Sequence, residues 1–176
     1  MTGTLGKHEQ VLRVVKETTA EVFSTMLAMT VTETSSSVET GNTTTNAGLM
    51  AVVGMSGAVS GSGCLCVSGA LACHIASRFL MAEIEEINDD VLDAISELCN
   101  MIVGNLKTSL EDQYGPMGLS LPTVVYGKDY RTRSSNLGER INFSFLYQED
   151  GLREEIKITI CLVTDNLDTL NWPGAN

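Results

Sequence analysis

A glutamate and an asparagine three residues apart, Glu97 and Asn100, are the pair in this sequence best placed to do chemistry. They lie in the segment Val91 to Leu110, where Val91, Ile95, Leu98, Ile102 and Leu106 recur at the spacing of one helical stripe. On that helix Asp93, Glu97, Asn100, Gly104 and Lys107 collect on the opposite side, and Glu97 and Asn100 are surface neighbours. An acid, an amide and a glycine therefore stand side by side in solvent. Asparagine competes for backbone hydrogen bonds, and glycine costs about 1 kcal/mol relative to alanine inside a helix. Helix stability alone selects neither for an exposed interior position. Two readings stay open: a working face where Gly104 lets a partner's backbone approach, or an ordinary surface where Gly104 accommodates a neighbouring element.

Other reactive residue types offer less. Cys64, Cys66, Cys73, Cys99 and Cys161 lie in apolar or small-residue stretches, where reduced cysteine acts as a small hydrophobe, and their odd number argues against a disulfide framework. Cys64 and Cys66 form a C-x-C pair without the further ligands that tetrahedral zinc needs, so no metal site is expected. His8 and His74 are far apart and read as surface or packed imidazoles. A formal charge of −11 repels a phosphate backbone and speaks against nucleic acid as a partner. No apolar run reaches a membrane span, and the start of the chain has no signal-peptide pattern, which predicts a cytoplasmic protein.

The 176 residues suit one domain, 1–176. From His8 to about Met29 an amphipathic helix is expected, with Val11, Val15, Val22, Met26 and Met29 inward. A β-prone run begins at Thr30, and the Thr-, Asn- and Gly-rich stretch 39–48 reads as an exposed loop. Leu49 to Met55 and Gly63 to Val67 make a hairpin, Ala70 to Met81 a short helix, and Asn88, Asp89 or Asp90 caps the helix that follows. Gln113 to Gly118 is turn chemistry, and Thr123 to Tyr126, Arg140 to Gln148 and Glu155 to Val163 are strands, the last two alternating and joined by a tight turn. The predicted class is α+β, a largely antiparallel sheet of about six strands covered by two long helices and a shorter one.

The string from Asp93 to Lys107, Asp-Ala-Ile-Ser-Glu-Leu-Cys-Asn-Met-Ile-Val-Gly-Asn-Leu-Lys, resembles the helix of the CheC/CheX/FliY group of chemotaxis phosphatases, whose hallmark is E-x-x-N. The bare motif recurs at Glu39/Asn42, Glu85/Asn88 and Glu139/Asn142, so the extended string carries the resemblance. The Val52 to Gly57 segment and the Ala70 to Met81 helix are also similar. Glu9, Glu17 and Glu21 in the first helix lack the matching amide, which resembles the single-centre, CheX-like branch. Ser96 stands where many relatives have glycine.

The resemblance implies dephosphorylation of the aspartyl phosphate on a CheY-type response-regulator receiver domain. Glu97 and Asn100 would be catalytic, Glu97 pairing with the receiver's lysine and Asn100 orienting the attacking water. Asp93, Gly104 and Lys107 would border the contact. Magnesium would sit on the receiver, with no cofactor on this chain. A homodimer is expected, with Ile141 to Tyr147 and Ile156 to Val163 as edge strands able to pair across chains. The alternatives are a non-catalytic CheX-like module that binds a receiver or flagellar switch protein, and a structural homodimer using the Glu97/Gly104 face.

Overall fold

Apolar residues at helical spacing and apolar residues at every second position separate into two layers, which among the described residues are three helices on one face of a seven-stranded sheet. The computed structural model describes residues 7–39, 43–133 and 138–163. In chain order the elements are α1 (Lys7–Leu27), β1 (Val31–Glu39), β2 (Thr43–Gly57), β3 (Gly61–Val67), α2 (Gly69–Leu80), α3 (Asp89–Tyr114), β4 (Met117–Leu119), β5 (Thr123–Arg133), β6 (Gly138–Glu149) and β7 (Leu152–Val163). The strands pair antiparallel in the order β1-β6-β7-β3-β2-β4, and β5 follows β4 along the same outer edge of β2.

The helices start where side chains can satisfy their first N–H groups. Ser68 Oγ accepts from Leu71 N–H at 3.1 Å to open α2, and Asn88 Oδ1 accepts from Val91 N–H at 3.0 Å to open α3. Asp89 and Asp90 add negative charge at the positive end of the α3 dipole. Gly115, at φ 108°, and Pro116 end α3.

The core fills the space between helices and sheet. Val91, Ile95, Leu98, Ile102 and Leu106 are buried, as the periodicity requires, against Leu49, Ala51, Val53 and Leu65 of the hairpin. Ile141, Phe143, Phe145 and Tyr147 of β6 and Ile156, Ile158, Ile160 and Leu162 of β7 continue the same layer. Gly63 lets α3 lie this close. A Cβ there would stand 2.3 Å from Val103 Cγ2, a separation no packed pair tolerates.

Three expectations change, and one is refined. The stretch 39–48 is not a loop: β1 reaches Glu39 and β2 begins at Thr43, with 40–42 outside the described residues. Thr43–Asn46 pairs with Tyr130–Arg133, so its backbone groups are satisfied by a strand far away in sequence, and threonine suits a pleated surface. The expected sheet of about six strands counts seven among the described residues, with Met117–Leu119 after the turn pairing with Met55–Gly57. Met26 is 47% exposed, and Phe23 and Leu27 occupy the inward positions. Finally, β6 and β7 are interior strands, each hydrogen-bonded on both sides, so neither offers an edge for pairing across chains. The edges belong to β1 on one side and to β4 and β5 on the other.

Candidate functional site

The face of α3 turned away from the core carries the residues singled out from sequence. Glu97 and Asp93 are exposed, while Asn100, Gly104 and Lys107 are half-buried. Among the described residues neither the Glu97 carboxylate nor the Asn100 amide is tied to another side chain or backbone group. The helix beneath them is fixed. Its inward stripe is anchored in the core, and the Cys99 thiol points onto the Ala51 carbonyl oxygen at 3.5 Å. A rigid element thus presents two polar groups with unused hydrogen-bonding capacity, the arrangement that binding to another molecule requires.

Lys107 behaves differently. Its Nζ lies 2.8 Å from Glu111 Oε2, and Glu111 Oε1 accepts the Met117 N–H at 2.8 Å. This links α3 to β4. The hydrogen bond from Lys107, helped by the Met117 N–H, holds the Glu111 carboxyl below the usual carboxylate range. The four-residue spacing of Lys107 and Glu111 is legible in sequence, whereas the bond to Met117 N–H depends on how the chain returns after α3.

Gly104 is open. A Cβ there would meet only Leu119 Cδ1, at 3.9 Å, an ordinary contact. Packing among the described residues therefore does not require glycine at this position, in contrast to Gly63. Of the two readings left open by the sequence, accommodation of a neighbouring element loses its basis.

The other candidates have structural employment. Burial pushes the Cys99 and Cys64 thiols up to about 12 and the Cys66 thiol up to about 11, so none supplies a thiolate near neutral pH. Asn46 Oδ1 lies 3.8 Å from the Cys66 sulfur, on the sheet face away from the helices. Among the described residues no three histidine, cysteine, aspartate or glutamate side chains converge on a metal-sized site. His74 Nε2 lies 2.9 Å from Tyr147 Oη, which in turn donates to Asp150 at 3.2 Å. That imidazole is packed, as expected; the side chain of His8 is outside the described residues. Of the other E-x-x-N occurrences, Asn88 is a helix cap, Glu139 and Asn142 lie on β6, and Asn42 is outside the described residues. Glu97 and Asn100 alone lie together inside a helix among them.

Known proteins share this fold. The family described as chemotaxis phosphatase CheX matches residues 49–146, a span that holds the hairpin, α2, α3 and most of β6. The chain belongs to the CheX family. CheY-P phosphatase CheX of Thermotoga maritima is 30% identical over 103 residues, which cover 58% of this chain and 66% of that relative. Among solved structures, chemotaxis protein CheX from Desulfovibrio desulfuricans superposes with a TM-score of 0.76 at 23% identity, over 87% of this chain and 99% of that one. CheX in the CheX-CheY-BeF3-Mg2+ complex from Borrelia burgdorferi superposes with a TM-score of 0.64 at 20% identity, over 87% and 97%. The two-layer CheX fold is shared with both. No described helix is long and apolar enough to cross a membrane.

Proposed function

We propose that this chain hydrolyses the aspartyl phosphate of a CheY-type receiver domain, with Asn100 orienting the attacking water and Glu97 docking on the receiver's lysine. The observation that carries this reading is the pair itself: an exposed carboxylate and a half-buried amide one helical turn apart, without partners among the described residues, on a helix locked into the core.

The chemistry fits these residues. An acyl phosphate is intrinsically reactive, so holding water in line with phosphorus lowers the barrier without a strong base. The Asn100 amide donates and accepts, and so can orient water toward a bound phosphoryl group. Glu97 sets the docking geometry through a charge-assisted hydrogen bond to a cation. The receiver contributes magnesium and the phosphorylated aspartate. Gly104, one turn from Asn100, leaves room for the receiver's backbone, and Asp93 borders the contact toward the N-terminal end of α3. Lys107 borders it at the other end and also holds the Glu111 link. This assigns the protein to the cytoplasm, where receiver domains act.

A homodimer is part of the proposal, and its contact runs through β1. That strand has no partner on its outer edge among the described residues and contains neither proline nor lysine, the residues that commonly block edge pairing.

The test is phosphate release from a CheY-type receiver, phosphorylated with a small-molecule donor in magnesium, with and without this protein. Acceleration supports the phosphatase reading. Absence of acceleration across the receivers of the source organism would leave a non-catalytic docking module.

A further inference from the structure

The edge of the sheet beside the Glu97/Asn100 face carries apolar side chains that the core uses only in part. Residues paired directly across two strands share a face. Leu119 pairs with Met55, Val124 with Ala51 and Tyr126 with Leu49, and those three β2 residues are buried under the helices. Leu119, Val124 and Tyr126 therefore lie on the helix side of the sheet, along its outer edge. Leu119 and Val124 are partly buried, but Tyr126 is 59% exposed, and Leu121, at the break between β4 and β5, is 89% exposed.

This shelf runs level with the polar stripe of α3. Gly104 faces Leu119, Val103 faces Gly63, and Cys99 meets the Ala51 carbonyl, so moving toward the start of α3 corresponds to moving from Leu119 toward Tyr126. One helical turn advances about 5.4 Å and two strand residues about 6.6 Å. Asn100 thus lies between the levels of Leu119 and Val124, and Glu97 lies near that of Val124. The polar face and the shelf form one continuous surface.

We propose that this shelf, with Tyr126 and Leu121 as its exposed anchors, is the second half of the receiver-binding footprint: it supplies affinity, while Asn100 supplies the chemistry. The inference rests on the phosphatase reading for the identity of the occupant. A receiver seated on Glu97 and Asn100 must cover what stands beside them. A second copy of this chain added as a strand is disfavoured here. Pro122 has no N–H to give to a new ladder, and Lys128, Arg131 and Arg133 charge the rest of the edge. Tyrosine is also enriched among the few large side chains that carry most of the affinity of specific interfaces.

The experiment measures both affinity and turnover. Affinity is taken by calorimetry against a receiver held in its phosphorylated form by beryllofluoride and magnesium. Turnover is followed as phosphate release from the phosphorylated receiver. The variants are Tyr126→Ser, Leu121→Ser and Asn100→Ala, with unfolding midpoints as the folding control. Tyr126→Ser and Leu121→Ser should each weaken binding about tenfold and raise KM alike, with kcat unchanged. Asn100→Ala should keep the affinity and lose kcat. Unchanged affinity in both shelf variants overturns the proposal, and so does a change in their sedimentation without a change in affinity, which would assign the shelf to a second copy. If the wild type binds through the shelf but releases no phosphate, the shelf stands and the hydrolytic reading fails. If the wild type does not bind, both fail.

Discussion

Replacing Gly104 by alanine separates what the fold wants from what the site wants. The substitution adds one methyl group on the exposed side of α3, and that carbon would stand 3.9 Å from Leu119 Cδ1, where it makes contact without displacing anything. Glycine inside a helix is less favourable than alanine by about 0.8–1.0 kcal/mol, and relief of unfolded-chain entropy at compatible sites gives about 0.4–1 kcal/mol. Gly104→Ala should therefore stabilise the protein by roughly 0.5–1 kcal/mol, which with a urea slope near 2 kcal/mol/M moves the midpoint up by about 0.25–0.5 M. The same methyl group projects beside Asn100 into the space through which a partner approaches, so receiver affinity should fall while stability rises. Urea unfolding by circular dichroism and titration with the phosphorylated receiver read the two effects separately. A loss of stability would refute the packing argument, and unchanged affinity would refute the role given to this face.

Gly63→Ala makes the same chemical change with the opposite sign: its methyl would lie 2.3 Å from Val103 Cγ2, forcing α3 off the sheet at a cost of about 1–3 kcal/mol in urea unfolding. Asn88→Ala removes the cap on Val91 N–H and should cost about 1 kcal/mol by the same measurement. Glu111, held below the usual carboxylate range by Lys107, contributes stability that is present above its unfolded pKa and lost as pH falls through its folded one. Unfolding midpoints of Glu111→Gln should therefore fall less steeply than wild type in the acid range below about pH 4. Cys64 and Cys99, with thiols pushed up to about 12, should resist a chromogenic disulfide reagent at pH 8 until the protein unfolds.

The α3 stripe was legible in the sequence because Val91 to Leu106 keeps one uninterrupted period, and an apolar face of that length has a single way to be buried. Asn88 could be anticipated as a cap for a similar reason, its position just before the first apolar residue of the pattern. The alternation in β6 and β7 showed that each buries one face, but not who their neighbours are. Strand order is set by contacts far apart in the chain, which is why two interior strands looked like edges. Thr43–Asn46 read as a loop because its partner Tyr130–Arg133 lies beyond any local window. The same blindness hid the shelf. Tyr126 and Leu121 become a surface beside Glu97 only once β4 and β5 are laid along β2.

The central claim is that Asn100 works by orienting water on a receiver's phosphoryl group. Single-turnover loss of phosphate from a saturating CheY-type receiver, compared between the wild type and Asn100→Ala, tests it most directly. The account predicts that the variant binds the receiver as tightly as the wild type but accelerates phosphate loss at least about 100-fold less. A variant that binds equally well and hydrolyses at the wild-type rate would contradict it.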